Sequence, residues 1–335
     1  MESGGGSPLK ELAKAAGRNF PHLFDARERT VDGLTARRAS LARLRHDPDA
    51  SIVLMGSWGR GEVTAGSDDD FMVLVDGEER PEVEVKPTIE EVSEVLETRP
   101  SEDGPFAEPV FSENLVNDIG LDADSNKNLT RRLLLLLESK PVSGDQDIYG
   151  SVRSKVLSRY LDESVKPYHP PRFLLNDVVR YWRTICVDFA AKEWKGPEKW
   201  GIRNAKLRTS RKVLFASGLL PLLECVRLDE KSAIREFVAQ ELAMLPTDRI
   251  ARAFLANDAA DEGGRALGAY DEFVGRLHDA EFRNALESVT RESAGESAKF
   301  AQATEIGKEL QGGLLALLYE ASPDLAKVVR DYAIF

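Results

Sequence analysis

Met55-Gly56-Ser57-Trp58-Gly59-Arg60-Gly61-Glu62 and, beyond Val63 to Gly66, Ser67-Asp68-Asp69-Asp70-Phe71-Met72-Val73-Leu74-Val75 decide how this chain is read. Ser51 to Met55 (SIVLM) has the pattern of a short buried strand, and it empties into Gly-Ser. A glycine at that bend removes the Cβ that would block an approaching anion, so its backbone N–H and the Ser57 hydroxyl can cradle phosphate oxygens. Phe71 to Val75 (FMVLV) is a second apolar strand directly behind three aspartates. Side chains alternate faces along a strand, so Asp68 and Asp70 point one way and Asp69 the other. Two carboxylates on one face call for a cation between them. Magnesium suits the role, because it takes one or two carboxylates and completes its octahedron with water and substrate phosphates. Manganese is the second candidate.

Outward from this core, Glu11 to Arg45 reads as two helices broken near Pro21, and His46 to Asp49 as a stop. Gly56 to Ser67 reads as a small-residue loop. Ile89 to Thr98 carries a helical pattern, Ala107 to Phe111 is a candidate third strand, Asn128 to Lys140 a buried leucine helix, and Pro141 to Tyr149 a closing loop. From Ser151 onward helices are expected at Phe173 to Lys192, Arg203 to Ala216, Ser232 to Met244, Asp271 to Glu292 and Glu305 to Glu320. The organisation expected is therefore a helical arm over 1–50, an α/β domain over 51–150 and an all-α domain over 151–335. No repeat of solenoid period is present.

Composition narrows the function classes. The chain has 335 residues, 45 Lys plus Arg against 57 Asp plus Glu, and a net charge of -12. That balance disfavours large nucleic acids and anionic lipid as general partners. Apolar runs such as Leu133 to Leu137 are far below the roughly 20 residues of a membrane span, and the first residues lack the apolar region of a secretory leader, so a cytoplasmic location is expected. Cys186 and Cys225 are distant in sequence, and His22, His46, His169 and His278 are scattered, which supports neither a disulfide framework nor a zinc site.

The Gly-Ser and Ser-Asp-x-Asp block resembles the nucleotidyltransferase superfamily that includes DNA polymerase β, in the form G-S-x-x-R…S-D-x-D of the small bacterial members. FSENLVNDIG, DADSNKNLTRRLLLLLES, RFLLNDVVRYWRTICVDF, WGIRNAKLRTSRKVLF and the terminal DYAIF are similar to bacterial proteins identified as predicted nucleotidyltransferases. The resemblance implies an α+β fold, a small mixed sheet flanked by helices with an all-α C-terminal domain. It makes Asp68 and Asp70 metal ligands, places Gly56 and Ser57 at the nucleotide phosphates, and gives Arg60 and Ser67 support of the loop or the triphosphate.

Family members also place a third carboxylate on a later strand. Glu108, in FAEPVF, is the first candidate here, with Asp118 and Asp124 as rivals and an exposed loop acid as the ordinary alternative. Relatives often supply Lys or Arg to the β- and γ-phosphates from a helical domain; Lys199, Arg203 and Lys206, spaced to share one helix face, are the candidates, the alternative being a solvated face. Asn176, Asp177, Arg180 and Arg183 form a polar helical stripe suited to lining a cleft or to an interhelical ion pair. Asp124, Asn126, Asn128 and Thr130 suit ligand contact or a helix cap. Trp58 suits either base stacking or a core plug.

The function expected is magnesium-dependent transfer of a nucleoside monophosphate from a nucleoside triphosphate, ATP among them, to a protein, small-molecule or RNA-end acceptor, with pyrophosphate released. A noncatalytic nucleotide sensor or toxin-antitoxin-type regulator is the alternative.

Overall fold

The computed structural model describes residues 6–102, 104–162, 165–196 and 198–334. In chain order the elements are α1 (Pro8–Ala15), α2 (Pro21–Leu41), β1 (Ala50–Met55), α3 (Ser57–Arg60), β2 (Phe71–Val75), α4 (Ile89–Leu96), β3 (Val110–Phe111), α5 (Ser112–Val116), α6 (Asn126–Leu137), β4 (Ser139–Gly144) and α7 (Gln146–Leu161). There follow α8 (Arg172–Lys195), α9 (Trp200–Arg208), α10 (Ser210–Glu224), α11 (Lys231–Ala243), α12 (Pro246–Ala256), α13 (Ala260–His278), α14 (Ala280–Ser288), α15 (Ala298–Ala316) and α16 (Pro323–Val328). They divide into two compact units. One comprises Arg27–Val63 and the described residues from Ser67 to 162; the other comprises the described residues up to Ala26, Thr64–Gly66 and those from Val165 on.

The first unit is built on a mixed four-stranded sheet in the order β3-β2-β1-β4, the α+β architecture expected. β1 runs antiparallel to β2, with Leu54 opposite Phe71 and Ala50 opposite Val75, and antiparallel to β4 on its other side; β2 and β3 are parallel. Every residue of β1 and β2 is buried, as a strand covered on both faces requires. On one face Ile52, Leu54, Phe71, Val73 and Val75 pack with Leu34 and Leu41 of α2 and with Ile89, Val92 and Leu96 of α4. A capping box starts α4: the Thr88 hydroxyl accepts from the Glu91 amide and the Glu91 carboxylate from the Thr88 amide.

Four details depart from the sequence reading. Ser139–Gly144, read as the end of the leucine helix and the start of the closing loop, is the edge strand β4. Its Ser-Lys-Pro-Val-Ser-Gly lacks an apolar run, and Pro141 is tolerated because the register shifts beside it, passing from Ser143 opposite Ile52 to Pro141 opposite Val53. The third strand shrinks to Val110–Phe111. The helix expected over Arg203 to Ala216 is two helices, interrupted at Thr209 (φ -124°, ψ -90°). That over Asp271 to Glu292 likewise breaks at Asp279, whose carboxylate accepts from the Glu281 amide and caps α14.

The second unit is helical. α10 is buried on nearly all sides, with Leu219, Leu220, Leu222 and Leu223 interior, and α8, α9, α11 and α12 pack around it. Among the described residues, no helix is long and apolar enough to cross a membrane. This unit buries acids as well as leucines: Glu241 is 1% exposed and pairs with Arg252, while Glu224 accepts from Asn257 Nδ2. Burial, offset by Arg252 and reinforced by the charge of Glu224, pushes the Glu241 carboxyl up to about 7. A carboxyl raised above its unfolded value stabilises the fold fully below that value, and the contribution is lost as pH rises through about 7. Thermal unfolding of Glu241→Gln should therefore lack part of the stability that the wild type loses between pH 5 and pH 8. A difference on the order of 1 kcal/mol is expected; parallel melting profiles for the two proteins over that range would contradict it.

Candidate functional site

The site begins where β1 ends. Gly56 takes φ 64° and ψ -128°, a left-handed backbone, and the chain then closes one helical turn, α3, before leaving it at Gly61 (φ 70°). The Arg60 amide donates to the Gly56 carbonyl at 3.0 Å and the Glu62 amide to the Ser57 carbonyl at 2.9 Å. A Cβ on Gly59 would stand 2.0 Å from the carbonyl carbon and oxygen of Glu138, so this turn is pressed against the backbone between α6 and β4. The loop is therefore a rigid corner.

Arg60 and Trp58 fasten that corner from below. Arg60 is buried; its Nε donates to Glu62 Oε2 at 2.7 Å and its Nη1 to Glu138 Oε2. Of the two roles expected for Arg60, support of the loop is the one these contacts describe. Trp58 is 2% exposed and sits in the core beside α2, its Nε1–H donating to the Asp68 carbonyl at 3.2 Å, with the Arg37 guanidinium 4.5 Å above its ring. Trp58 is a core plug, and base stacking is not its role.

The antiparallel register brings the acidic triplet to this corner. The Met55 amide donates to the Asp70 carbonyl at 2.9 Å, and a Cβ on Gly56 would lie 3.4 Å from Asp70 Oδ2. Asp69 turns inward, 8% exposed, and accepts two bonds from Arg37, Nε to Oδ2 and Nη2 to Oδ1, each 3.1 Å. Asp68 and Asp70 on either side are exposed, and Ser67 and Ser57 half-buried. The donor set is hard carboxylate oxygen beside a bend stripped of its Cβ, which fits a divalent cation of the magnesium type. Asp68 and Asp70 are the residues that would hold it.

The third-acid candidates separate. Asp124 is 2% exposed and receives both Arg132 nitrogens at 2.8 Å, with Tyr160 alongside, which makes it a structural partner. Asp118 is half-buried beyond α5, its carbonyl accepting from the Leu121 amide. Glu108 is exposed. β3 pairs with β2 at Leu74 and Val75, the end of β2 away from Asp70, and Glu108 precedes it by two residues. Its carboxylate accepts from Lys127 Nζ at 3.1 Å and lies 3.7 Å from Arg131 Nη2; the Lys127 hydrogen bond and charge, with Arg131, hold it below its ordinary range. Among the described residues, no three His, Cys, Asp or Glu side chains gather as a metal cluster.

Lys199, Arg203, Lys206 and the α8 stripe belong to the other unit, Asn126, Asn128 and Thr130 to the sheet-bearing one. Lys199, in left-handed backbone at the start of α9, lies 3.6 Å from Glu287, and Arg203 and Lys206 are exposed on the same helix face. Of the α8 stripe, Asp177 is buried 3.8 Å from Arg180, while Asn176 and Arg183 are exposed. Asn128 is buried on α6, whose cap is Ser125; Asn126 opens that helix and Thr130 donates back to the Asn126 carbonyl. Cys186 and Cys225 are free thiols. Sequence reasoning missed Arg37, Glu62, Glu138, Lys127 and Arg131. Only Glu62, inside the motif, was near enough in sequence to signal itself.

Residues 37–103 match the family model described as nucleotidyltransferase domain, a segment that runs from Arg37 through the Gly-Ser corner and the acidic triplet into α4. Over 65 residues the chain is 34% identical to the bifunctional uridylyltransferase/uridylyl-removing enzyme of Pseudoalteromonas translucida (strain TAC 125). The aligned part is 19% of this chain and 8% of that relative, so the chain spans a small fraction of the relative's length. No solved structure matches the chain. The matched segment is the one that carries the glycine corner and the paired aspartates, and over it the chain is similar to the nucleotidyltransferase domain family.

Proposed function

We propose that the protein transfers a nucleoside monophosphate from a nucleoside triphosphate to an acceptor, with magnesium held by Asp68 and Asp70. The observation that carries this reading is the approach of Asp70 Oδ2 to the missing Cβ of Gly56, with Asp69 tied back by Arg37. The Gly56 corner and the Ser57 hydroxyl receive the triphosphate; a phosphate oxygen can approach there because neither a Cβ nor a bulky side chain intervenes. The bound metal, when present, supplies charge stabilisation at the α-phosphate. An acceptor oxygen attacks the α-phosphorus, the bond from that phosphorus to the oxygen bridging to the β-phosphorus breaks, and pyrophosphate leaves with the bond's electron pair.

An acceptor hydroxyl must also lose its proton, and Glu108, a carboxylate held below its ordinary range by Lys127 and Arg131, is the proposed recipient. Ser67 supports the loop that leads into the triplet. Lys199, Arg203 and Lys206 carry no step in this reading. The matched relative's name includes uridylyl transfer, which supports nucleoside monophosphate transfer as the reaction class. The acceptor class is a protein side chain, a small alcohol or an RNA end.

Incubation with each nucleoside triphosphate and magnesium tests the reading through pyrophosphate release. Asp68→Asn and Asp70→Asn should each lower release by about 100-fold or more, since each removes a charged ligand from the reacting centre, with circular dichroism unchanged. Wild-type rates in both variants would overturn it, and tight nucleotide binding without turnover by the wild type would mark a sensor instead. Asp69→Asn should behave differently. Losing a buried charge-assisted pair, it should lower stability by about 1–3 kcal/mol in denaturant titrations, a loss absent from the two exposed variants; equal stability of all three would refute the inward anchor.

A further inference from the structure

Lys127, Asn128 and Arg131 stand on the first two turns of α6, where helix amide groups are directed outward and favour negative charge. Arg131 is the unusual member. Its side chain is 8% exposed; Nε donates to the Pro105 carbonyl at 2.6 Å and Nη1 to Asn128 Oδ1 at 3.3 Å, which fixes the guanidinium plane. Nη2 is buried with no hydrogen-bond partner among the described residues. A buried guanidinium donor left without an acceptor is costly, so its retention calls for an explanation.

Among the described residues, the side chain paired with Arg131 Nη2 is Glu108, whose Oε2 lies 3.7 Å away, outside hydrogen-bonding range, while the same oxygen accepts from Lys127 Nζ at 3.1 Å. One carboxylate oxygen thus stands between two cations and satisfies one of them. Glu108 is 65% exposed and precedes a two-residue strand, so little packing holds it there. A phosphate group carries three or more acceptor oxygens on one centre, and it can meet the ammonium and the orphaned guanidinium nitrogen together. Glu79, which Asn114 Nδ2 engages at 2.9 Å, is the other acid whose charge reaches Arg131.

We propose that Lys127 and Arg131, oriented by Asn128, form a phosphate-oxyanion site that the Glu108 carboxylate closes. It lies at the N-terminal turn of α6 and is separate from the Gly56–Ser57 corner, whose α3 turn is pressed against Glu138 at the other end of that helix. A phosphate entering it displaces Glu108 and so frees that carboxylate. The site needs no metal, and its existence does not depend on the assignment of Asp68 and Asp70.

Calorimetric titration of the full chain with inorganic pyrophosphate, in buffer with EDTA and no divalent metal, tests the proposal. Glu108→Gln removes the internal competitor and should tighten binding roughly 2- to 5-fold, the range a partly exposed charge pair commands. Lys127→Met should weaken it by a similar factor, and Lys127→Arg should restore it. Both positions are partly exposed, so these variants avoid the folding risk of replacing the buried Arg131. Unchanged or weaker binding by Glu108→Gln, or wild-type affinity in Lys127→Met, overturns the proposal, as does a lack of binding in Glu108→Gln. Repeating the series with ATP identifies the source: the same ordering assigns the site to the triphosphate, and an ordering seen with pyrophosphate alone assigns it to a phosphate outside the nucleotide. Because no metal is present, failure here is distinguishable from failure of the Asp68 and Asp70 substitutions.

Discussion

The paired hydrogen bonds from Arg37 to Asp69 are the constraint on which the acidic corner depends. Three consecutive aspartates repel one another, and an unanchored triplet would spread its charges into solvent. Arg37 removes the middle one from that competition by drawing it inward, where it is 8% exposed. Alternation along an extended chain then places Asp68 and Asp70 outward. The same guanidinium lies over the Trp58 ring, and the Trp58 indole N–H holds the Asp68 carbonyl. One side chain from α2 thus couples the triplet to the glycine corner. Desolvation offsets much of the Coulombic gain of such a pair, so its chief effect is on geometry rather than on net stability.

Around that pair the sheet supplies the reference frame. The β1–β2 register puts Met55 against Asp70, so the residue after Met55 meets the carboxylate of Asp70, and Gly56 leaves the space for it. On the far side of β1 the short α3 turn is pressed onto Glu138, where only a glycine at position 59 fits. Arg60 closes the arrangement by binding Glu62 from its own loop and Glu138 from the end of α6. A loop held on both sides in this way loses little further conformational freedom when a ligand binds, which is the thermodynamic advantage of a preformed corner.

What the sequence disclosed follows from the range of the forces involved. β1, β2 and the alternation of the triplet were legible because they depend on local pattern: an apolar run covered on both faces, and the two-residue period of a strand. α6 was legible from its leucines. β4 was not, since a strand containing Lys, Pro and Ser is held by pairing to β1 and by a shifted register, neither of which leaves a mark in Ser139–Gly144 itself. The breaks at Thr209 and Asp279 were hidden because helical periodicity continues across them. At the site, the glycines and aspartates announced their positions, whereas Arg37 sits within an ordinary charged helix and acquires its role only through tertiary contact. Arg60 was visible, but its buried partner Glu138 lies 78 residues away.

Arginine use within this unit shows how the site keeps its charge. Arg37 is committed to Asp69, Arg60 to Glu62 and Glu138, and Arg132 to Asp124, each pair at least partly withdrawn from water. Such pairing fixes the acids it touches as structure, since separating a buried pair leaves an uncompensated charge. Asp68 and Asp70 are exposed, where a hard cation can reach them. Glu108 stands between these two classes: it is paired, yet through one exposed lysine and an arginine nitrogen beyond hydrogen-bonding distance. Its hold is weak enough to be exchanged for a stronger anion, and that distinguishes it from Asp124, whose paired bonds to Arg132 inside the core make it the poorer choice for a carboxylate that must change partners.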